Sequence, residues 1–214
     1  MIYAVKRIDL KKEWKHLYSP SAGKVEVVDV PEFLFVMVDG TACAGELPAE
    51  SREFQDAVTA LYGISYTLKF LSKGREGGAV DYPVMGLEGL WWTDSGDFDF
   101  AHGARWYWTL MIMQPPHITP AMFAEALRAL EGKKKNPATR SLRLERLREG
   151  LCMQTMHIGP YSEEPRTMEK MKSFAETNGY IYRGRHHEIY IGDPRRAKPE
   201  KLRTILRQPV ERKP

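Results

Sequence analysis

The spacing of hydrophobic residues along this chain changes from strand-like to helix-like and back, in the same order in both halves. In the first half, residues 25–30 alternate and residues 33–38 form a continuous apolar run, as strands do. From Ser51, a predicted helix cap, to residue 72, apolar residues recur every three or four positions, which indicates one long amphipathic helix. Two further strands are predicted at residues 82–92 and 105–113. The first half therefore predicts the order strand–helix–strand–strand.

The second half repeats this order. The pattern predicts a strand at 151–158, a helix at 165–178, and strands at 187–191 and 201–210. A helix that opens at Thr119 and a short helix at residues 141–148 connect the two halves. We interpret the repeat as an internal duplication that superposes the segment around Glu88 on the segment around Glu188.

These elements predict an α+β fold of two pseudo-symmetric strand–helix–strand–strand modules, whose antiparallel sheets flank a ligand groove. The module boundaries follow from the breaks between the periodic segments. We expect one integrated domain that comprises an N-terminal arm (1–24), a first module (25–114), a helical connector (115–149) and a second module (150–214).

The strand predicted at residues 187–191 carries the sharpest chemical signal. Because side chains alternate along a strand, Glu188 and Tyr190 share one face of an otherwise apolar segment. A buried carboxylate is costly unless it is paired, and burial that raises its pKa also suits it to act as a general base. Tyr190 either fills the core or donates to a developing oxyanion. The structural alternative for Glu188 is an ion pair with a nearby arginine: Arg185, Arg195 or Arg207.

A second carboxylate–aromatic segment occurs at residues 86–92. Glu88 and Leu90 share one face there, and Trp91 takes the other unless Gly89 permits a bulge. The five Trp and ten Tyr of the chain suit stacking on a flat ligand as well as core packing. We therefore expect both halves to bring a carboxylate and aromatic residues to one cleft. The candidate lining residues are Glu88, Trp91, Trp92, Trp106, Trp108 and, in a loop over the pocket, Tyr161.

Composition narrows the classes of partner. The formal net charge of +4, without a basic helix or a stacking motif, gives no reason to expect specific nucleic-acid binding. The N-terminus has no continuous apolar signal core, and no run is long enough to span a bilayer. We therefore expect a cytoplasmic protein without a membrane partner. The sequence does not define an oligomeric state.

Neither a metal ion nor a cofactor is expected. His186 and His187 are adjacent on the predicted strand and point to opposite faces, so they form a poor chelate with Glu188. Only Cys43 and Cys152 are present, and they have no disulfide framework, zinc-site spacing or nucleophile motif. Both cysteines are expected to be inert.

The order of the elements and several segments resemble the GyrI-like small-molecule-binding family. The matching segments are LEGLWW at 87–92, HIGPY at 157–161 and HHEIYIGDPRR at 186–196, with shorter ones at 9–12, 18–20, 28–33, 39–40, 60–62 and 66–70. They span nearly the whole chain and leave no segment for a DNA-binding helix-turn-helix. The chain therefore resembles the free-standing members of the family.

The resemblance implies the fold of the effector domains of multidrug-sensing transcription regulators, with a groove that binds apolar, aromatic or cationic compounds. The family's floor carboxylate corresponds to Glu188. Some free-standing members hydrolyse cyclopropane-bearing genotoxins, which implies that Glu188 activates water and Tyr190 stabilises the leaving oxygen. The expected partner is thus a hydrophobic or aromatic small molecule, and the expected role is detoxification of a xenobiotic. The alternatives are a binding module that only sequesters such compounds and an interaction protein that inhibits DNA gyrase.

Overall fold

The computed structural model describes residues 5–42, 50–94, 105–132, 136–192 and 197–214, which contain nine strands and five α-helices. The strands are β1 (Lys6–Arg7), β2 (Glu26–Ala42), β3 (Val80–Asp81), β4 (Glu88–Thr93), β5 (Trp106–Gln114), β6 (Arg143–Ile158), β7 (Tyr180–Tyr182), β8 (His186–Tyr190) and β9 (Arg203–Arg212). The helices are α1 (Leu10–Glu13), α2 (Lys15–Tyr18), α3 (Arg52–Lys73), α4 (Pro120–Glu131) and α5 (Glu164–Thr177). Short 3-10 helices occupy Pro137–Ser141, Tyr161–Glu163 and Pro199–Lys201.

Six of these strands form an antiparallel sheet that closes on itself. The strand order is β6–β2–β5–β4–β8–β9, and β9 pairs back with β6. Strand β7 extends the sheet beyond β9, and β1 with β3 forms a small parallel pair. The predicted α+β class with antiparallel strands is confirmed.

The two predicted modules are visible in the order β2–α3–β4–β5 and again in the order β6–α5–β8–β9. They meet where β4 pairs with β8, with Gly89 opposite Glu188. Helix α3 packs on β2 and β5, and helix α5 packs on β6 and β7. We call the side of the sheet beneath these two helices the outer face and the enclosed side the inner face. Trp91 and Tyr190 lie on the outer face, and His187 lies on the inner face.

The structure corrects several element boundaries. The short helix predicted at residues 141–148 is wrong, because this segment pairs with β2 as the first half of β6, with Arg143 opposite Met37. Sheet pairing here outweighs the helix propensity of a Leu-, Arg- and Glu-rich segment. The two strands predicted on either side of Pro31 are one strand, β2. Strand β4 begins at Glu88, later than expected, and β7 was not predicted.

Strand β6 changes the direction of its side chains at Gly150. This residue has φ +68°, a left-handed conformation that glycine adopts without strain. Glu149 and Gln154 both contact Arg207 on the inner face, although strict alternation would place them on opposite sides. The glycine thus allows Glu149 to reach the interior of the closed sheet.

No helix in the described ranges is both long and apolar enough to cross a lipid bilayer. Two residues discussed above, Cys43 and Arg195, lie outside the described residues. Cys152 is buried, and burial raises the pKa of its thiol, which disfavours the reactive thiolate.

Candidate functional site

A carboxylate, a phenol and an indole form a hydrogen-bonded chain on the outer face of β4 and β8. The Tyr190 hydroxyl donates to Oε2 of Glu188 at 2.7 Å. Trp91 donates from Nε1 to the same hydroxyl at 3.1 Å. Glu188 and Tyr190 therefore share a face, as the alternation predicts, and Trp91 joins them from the neighbouring strand.

Aromatic residues hold the Trp91 indole in place. Phe54, in the first turn of α3, stacks on Trp91 with ring centroids 6.2 Å apart, and Trp106 meets it edge to face at 6.1 Å. A Cβ atom at Gly89 would lie 2.8 Å from Nε1 of Trp91, so only glycine leaves room for the indole above this position. The register of β4 against β5 is continuous through Gly89, so this glycine serves close packing and not a bulge.

The opposite wall of this cluster comes from the start of α5. The Tyr161 ring meets the Tyr190 ring edge to face at 6.1 Å and is 39% exposed, in keeping with the predicted loop over the site. Glu164, three residues later, is buried and interacts electrostatically with Glu188. Sequence reasoning missed both Glu164 and Phe54. Their positions look like ordinary first-turn helix residues, and nothing local signals that α3 and α5 converge on one site.

Burial governs the protonation of this cluster. It raises the pKa of Glu188 above its ordinary value, although the hydrogen bond from Tyr190 and the charge of His187 lower it in part. Burial and the charge of Glu188 raise the pKa of Glu164. His186 has its Nε2 atom 3.8 Å from Oε1 of Glu188, but burial lowers its pKa to about 3 and keeps the ring neutral. The cluster is thus an acidic site without a charged histidine on the same face.

The structure does not bring Glu88, Trp92 and Trp108 together with Glu188. Glu88 and Trp92 alternate with Gly89 and Trp91 along β4, so they lie on the inner face. Trp108 lies on the outer face but is fully buried beneath Phe54, whose ring meets it edge to face at 5.6 Å. The expectation of one cleft shared by both carboxylates is corrected, because a shift of one residue reverses the face of every side chain.

The inner face instead carries a buried polar network. Glu88 accepts a hydrogen bond from the Tyr18 hydroxyl at 3.0 Å and lies 3.0 Å from Nε2 of His187. His187 Nδ1 lies 3.1 Å from Glu149, which also accepts from Arg207 at 3.2 Å. Burial opposes the charge on His187, but Glu149 and Glu88 outweigh it and raise its pKa to about 9.

This network bears on two of the three arginines that the ion-pair interpretation of Glu188 offers, Arg185 and Arg207, whereas Arg195 lies outside the described residues. Arg207 pairs with Glu149 and with Gln154, whose side-chain oxygen lies 3.1 Å from Nε of Arg207. The Arg185 guanidinium stacks over Trp92, 3.6 Å from the ring centroid. Neither of these two arginines is therefore an ion-pair partner of Glu188, and its carboxylate is held by Tyr190.

The family model for the GyrI-like small-molecule-binding domain matches residues 23–211. The chain belongs to the GyrI-like family. No curated protein sequence matches the chain. Among solved structures, an uncharacterized conserved protein from Listeria innocua is 42% identical, with a TM-score of 0.85 over 95% of this chain and 100% of that chain.

Another GyrI-like neighbour, described as a hydrolase from Listeria innocua, is 40% identical, with a TM-score of 0.84 over 96% of this chain and 100% of that chain. The C-terminal domain of EcmrR is 11% identical, with a TM-score of 0.53 over 88% of this chain and 98% of that chain. At that identity the EcmrR domain shows only that the fold is shared. The protein is thus a GyrI-like small-molecule-binding domain.

Two surface cavities lie away from the Glu188 cluster. One, of about 270 Å³, is lined by Asp39, Gly40, Thr41, Trp92, Tyr107 and Arg185. The other, of about 260 Å³, includes Met156, His157, Glu163 and Arg166. The Glu188 side chain itself is 9% exposed beneath the aromatic residues, so a ligand reaches it only when these side chains move. Within the described residues, no cluster of His, Cys, Asp and Glu could hold a metal ion.

Proposed function

We propose that this GyrI-like protein hydrolyses strained electrophilic rings on apolar, aromatic compounds, with cyclopropane-bearing genotoxins as the substrate class and detoxification as the role. The observation that carries the proposal is the buried Glu188 carboxylate, which Tyr190 orients at 2.7 Å among Trp91, Phe54 and Tyr161. A neighbour of 40% identity is described as a hydrolase, which supports the same reaction class.

Glu188 acts as the general base in this reaction. It removes a proton from water as the water oxygen attacks a ring carbon, and the strained carbon–carbon bond breaks. The electron pair of that bond moves to an oxygen conjugated with the ring. The Tyr190 hydroxyl has one proton, which it donates to Glu188. When a ligand oxygen accepts the hydrogen bond of Tyr190 instead, Glu188 loses that hydrogen bond. The Glu188 carboxylate then becomes more basic.

The test compares turnover of a cyclopropane-bearing aromatic substrate by wild type, Glu188→Gln and Tyr190→Phe. Gln keeps the shape of Glu188 but cannot accept the proton, so the rate should fall roughly 10²–10⁴-fold. Tyr190→Phe should lower it about 10²–10³-fold. Circular dichroism checks the fold of each variant. Unchanged turnover by folded Glu188→Gln would exclude Glu188 from the reaction.

The second candidate function is binding without turnover. The match to a small-molecule-binding domain and the shielding of Glu188 by aromatic side chains favour it. Planar apolar compounds should quench the tryptophan fluorescence with affinity in the micromolar range, about −8 kcal/mol. Trp91→Phe should weaken this binding, whereas Trp14→Phe, at a tryptophan that packs on Phe33 and lines neither cavity, is the matched control. Product formation under excess substrate separates enzyme from binder.

A further inference from the structure

Glu164 lies over the same patch of sheet as the proposed base. Its side chain lies next to Thr204, and Thr204 lies directly opposite Tyr190 in the pairing of β8 with β9. Neither Oε1 of Glu164 nor Oγ1 of Thr204 has a hydrogen-bond partner among the described residues. Glu188 is two positions before Tyr190 on the same face of β8, which makes it a diagonal neighbour of Thr204 on β9. Such neighbours are about 7–8 Å apart. Glu164, from a helix, interacts electrostatically with Glu188 and with Tyr190, from a strand, so both carboxyl groups lie close to the Tyr190 hydroxyl.

Glu164 is buried without a charged partner. It is 2% exposed, and no lysine, arginine or histidine of the described residues forms an ion pair with it. The titratable groups that face it are Glu188 and Tyr190 from β8, and Tyr161 beside Tyr190. All of these are acids, and His186 beside Glu188 is neutral because burial lowers its pKa to about 3, so none of these groups supplies a positive charge. An isolated buried carboxylate is costly, which favours the protonated form of Glu164.

Glu188 differs from Glu164 in two respects that favour its ionised form. It accepts a hydrogen bond from Tyr190, and it lies next to the positively charged His187 along β8. Where two acids share a site and their surroundings separate their pKa values, one serves as acid and the other as base. The arrangement assigns the base to Glu188 and leaves the acid to Glu164.

We propose that Glu164 is the proton donor of this site, a second catalytic carboxyl that protonates the oxygen released when the strained ring opens. The inference rests on the hydrolytic function proposed above. Water loses a proton to Glu188 and forms the new carbon–oxygen bond. The ring carbon–carbon bond breaks, its electron pair moves to the conjugated oxygen, and that oxygen takes the Glu164 proton. The products are the hydroxylated, ring-opened compound, a carboxylate at Glu164 and a carboxylic acid at Glu188, and a proton returns through solvent between turnovers.

The neighbouring residue provides a matched control for Glu164. Glu163→Gln makes the same chemical change one position earlier, on a side chain that is exposed. Turnover of a cyclopropane-bearing aromatic substrate is measured against pH for wild type, Glu163→Gln and Glu164→Gln. The rate of Glu164→Gln should fall about 100-fold or more. Wild type should lose activity as pH rises and Glu164 ionises, and this alkaline limb should disappear in Glu164→Gln. A full rate with an unchanged pH profile in Glu164→Gln would overturn the proposal.

Infrared spectroscopy tests the protonation of Glu164 without substrate, at about pH 8, because burial raises the pKa of Glu188 to about 7 and that of Glu164 to about 9. Wild type and Glu163→Gln should show the band of a protonated carboxyl group at this pH, and Glu164→Gln should lack it. Persistence of the band in Glu164→Gln would place the proton elsewhere and overturn the assignment. If wild type turns over no such substrate, the hydrolytic proposal fails and the donor role fails with it. The infrared result still decides whether Glu164 holds the proton.

Discussion

Glu149→Gln is the substitution that should most clearly reveal what the buried polar network contributes to the stability of this protein. Glu149 accepts from Arg207 at 3.2 Å and lies 3.1 Å from His187 Nδ1, inside the closed sheet. Burial opposes its charge, but His187 and Arg207 outweigh burial and lower its pKa to about 2. Gln keeps the shape and removes the charge, so two buried cations lose their common partner.

The structure sets both the size and the pH dependence of the effect. Loss of one partner from a buried ion pair costs about 3–5 kcal/mol. The pKa of His187 is raised from 6.5 to about 9, so the stability it contributes is fully present below about pH 6.5 and is lost as pH rises through 9. At about 1.4 kcal/mol per pH unit, this contribution is of the order of 3 kcal/mol. The lowered pKa of Glu149 affects stability at acidic pH. The stability that Glu149 contributes is present above about pH 4.5 and is lost as pH falls towards 2.

Urea unfolding followed by tryptophan fluorescence, at pH 6 and pH 9, measures both effects. Wild type should have a lower free energy of unfolding at pH 9 than at pH 6, and this difference should largely disappear in Glu149→Gln. At pH 6 the free energy of unfolding of Glu149→Gln should be about 3–5 kcal/mol below that of wild type. The matched control is Glu145→Gln on the same strand, where the exposed pair with Arg143 at 2.6 Å contributes at most about 1 kcal/mol. Wild-type stability that is equal at both pH values, or a Glu149→Gln cost no larger than the control, would refute this account of the network.

Three further predictions concern the site, the fold and the partner. Gly89→Ala should displace the Trp91 indole from the Tyr190 hydroxyl and weaken binding of planar aromatic compounds about tenfold in a fluorescence titration; unchanged affinity would contradict the packing role of Gly89. Ser51→Ala should lower the free energy of unfolding by about 1 kcal/mol, because the Ser51 hydroxyl accepts from the Phe54 amide at 3.1 Å, and an equal urea midpoint would argue against this cap. Gel-shift assays at physiological salt should detect no sequence-dependent DNA binding, and tight, specific retardation would show that the modest net charge is misleading.

Local rules were enough to predict the parts of the fold that depend on neighbouring residues. The Ser51 and Thr119 caps begin α3 and α4 as expected, since capping involves only the first turn of a helix. The shared face of Glu188 and Tyr190 followed from alternation along one strand.

Residues that act through distant contacts could not be found in this way. Glu164 looks like an ordinary acid in the first turn of a helix, a position that acids favour because of the helix dipole. Its burial arises only because α5 packs on β6 and β7. The role of Glu149 depends in turn on Gly150, whose positive φ redirects a strand that the pattern predicted to begin later. Tertiary packing of a helix in the first case and pairing in the closed sheet in the second, and not local propensity, determine these positions.

The pairing of β4 with β8 places Glu88 in the inner network and Glu188 in the outer cluster. A twofold axis perpendicular to the sheet, between β4 and β8, exchanges the two strands and keeps each side chain on its own face. This axis relates Glu88 to His187, Gly89 to Glu188 and Trp91 to Tyr190. Glu88 and His187 therefore occupy equivalent positions and contact each other on the inner face. Trp91 and Tyr190 likewise occupy equivalent positions and contact each other on the outer face.

The charged inner pair and the outer site are also coupled. His187 lowers the pKa of Glu188 from the other side of the same strand. Neutralising the inner network through Glu149→Gln removes the main support for the charge on His187. Without that charge the pKa of Glu188 rises further, so the acid limb of its activity should move to higher pH. The interior ion pairs thus stabilise the closed sheet and, through one histidine, contribute to the pKa of the proposed base on the other face, which burial dominates.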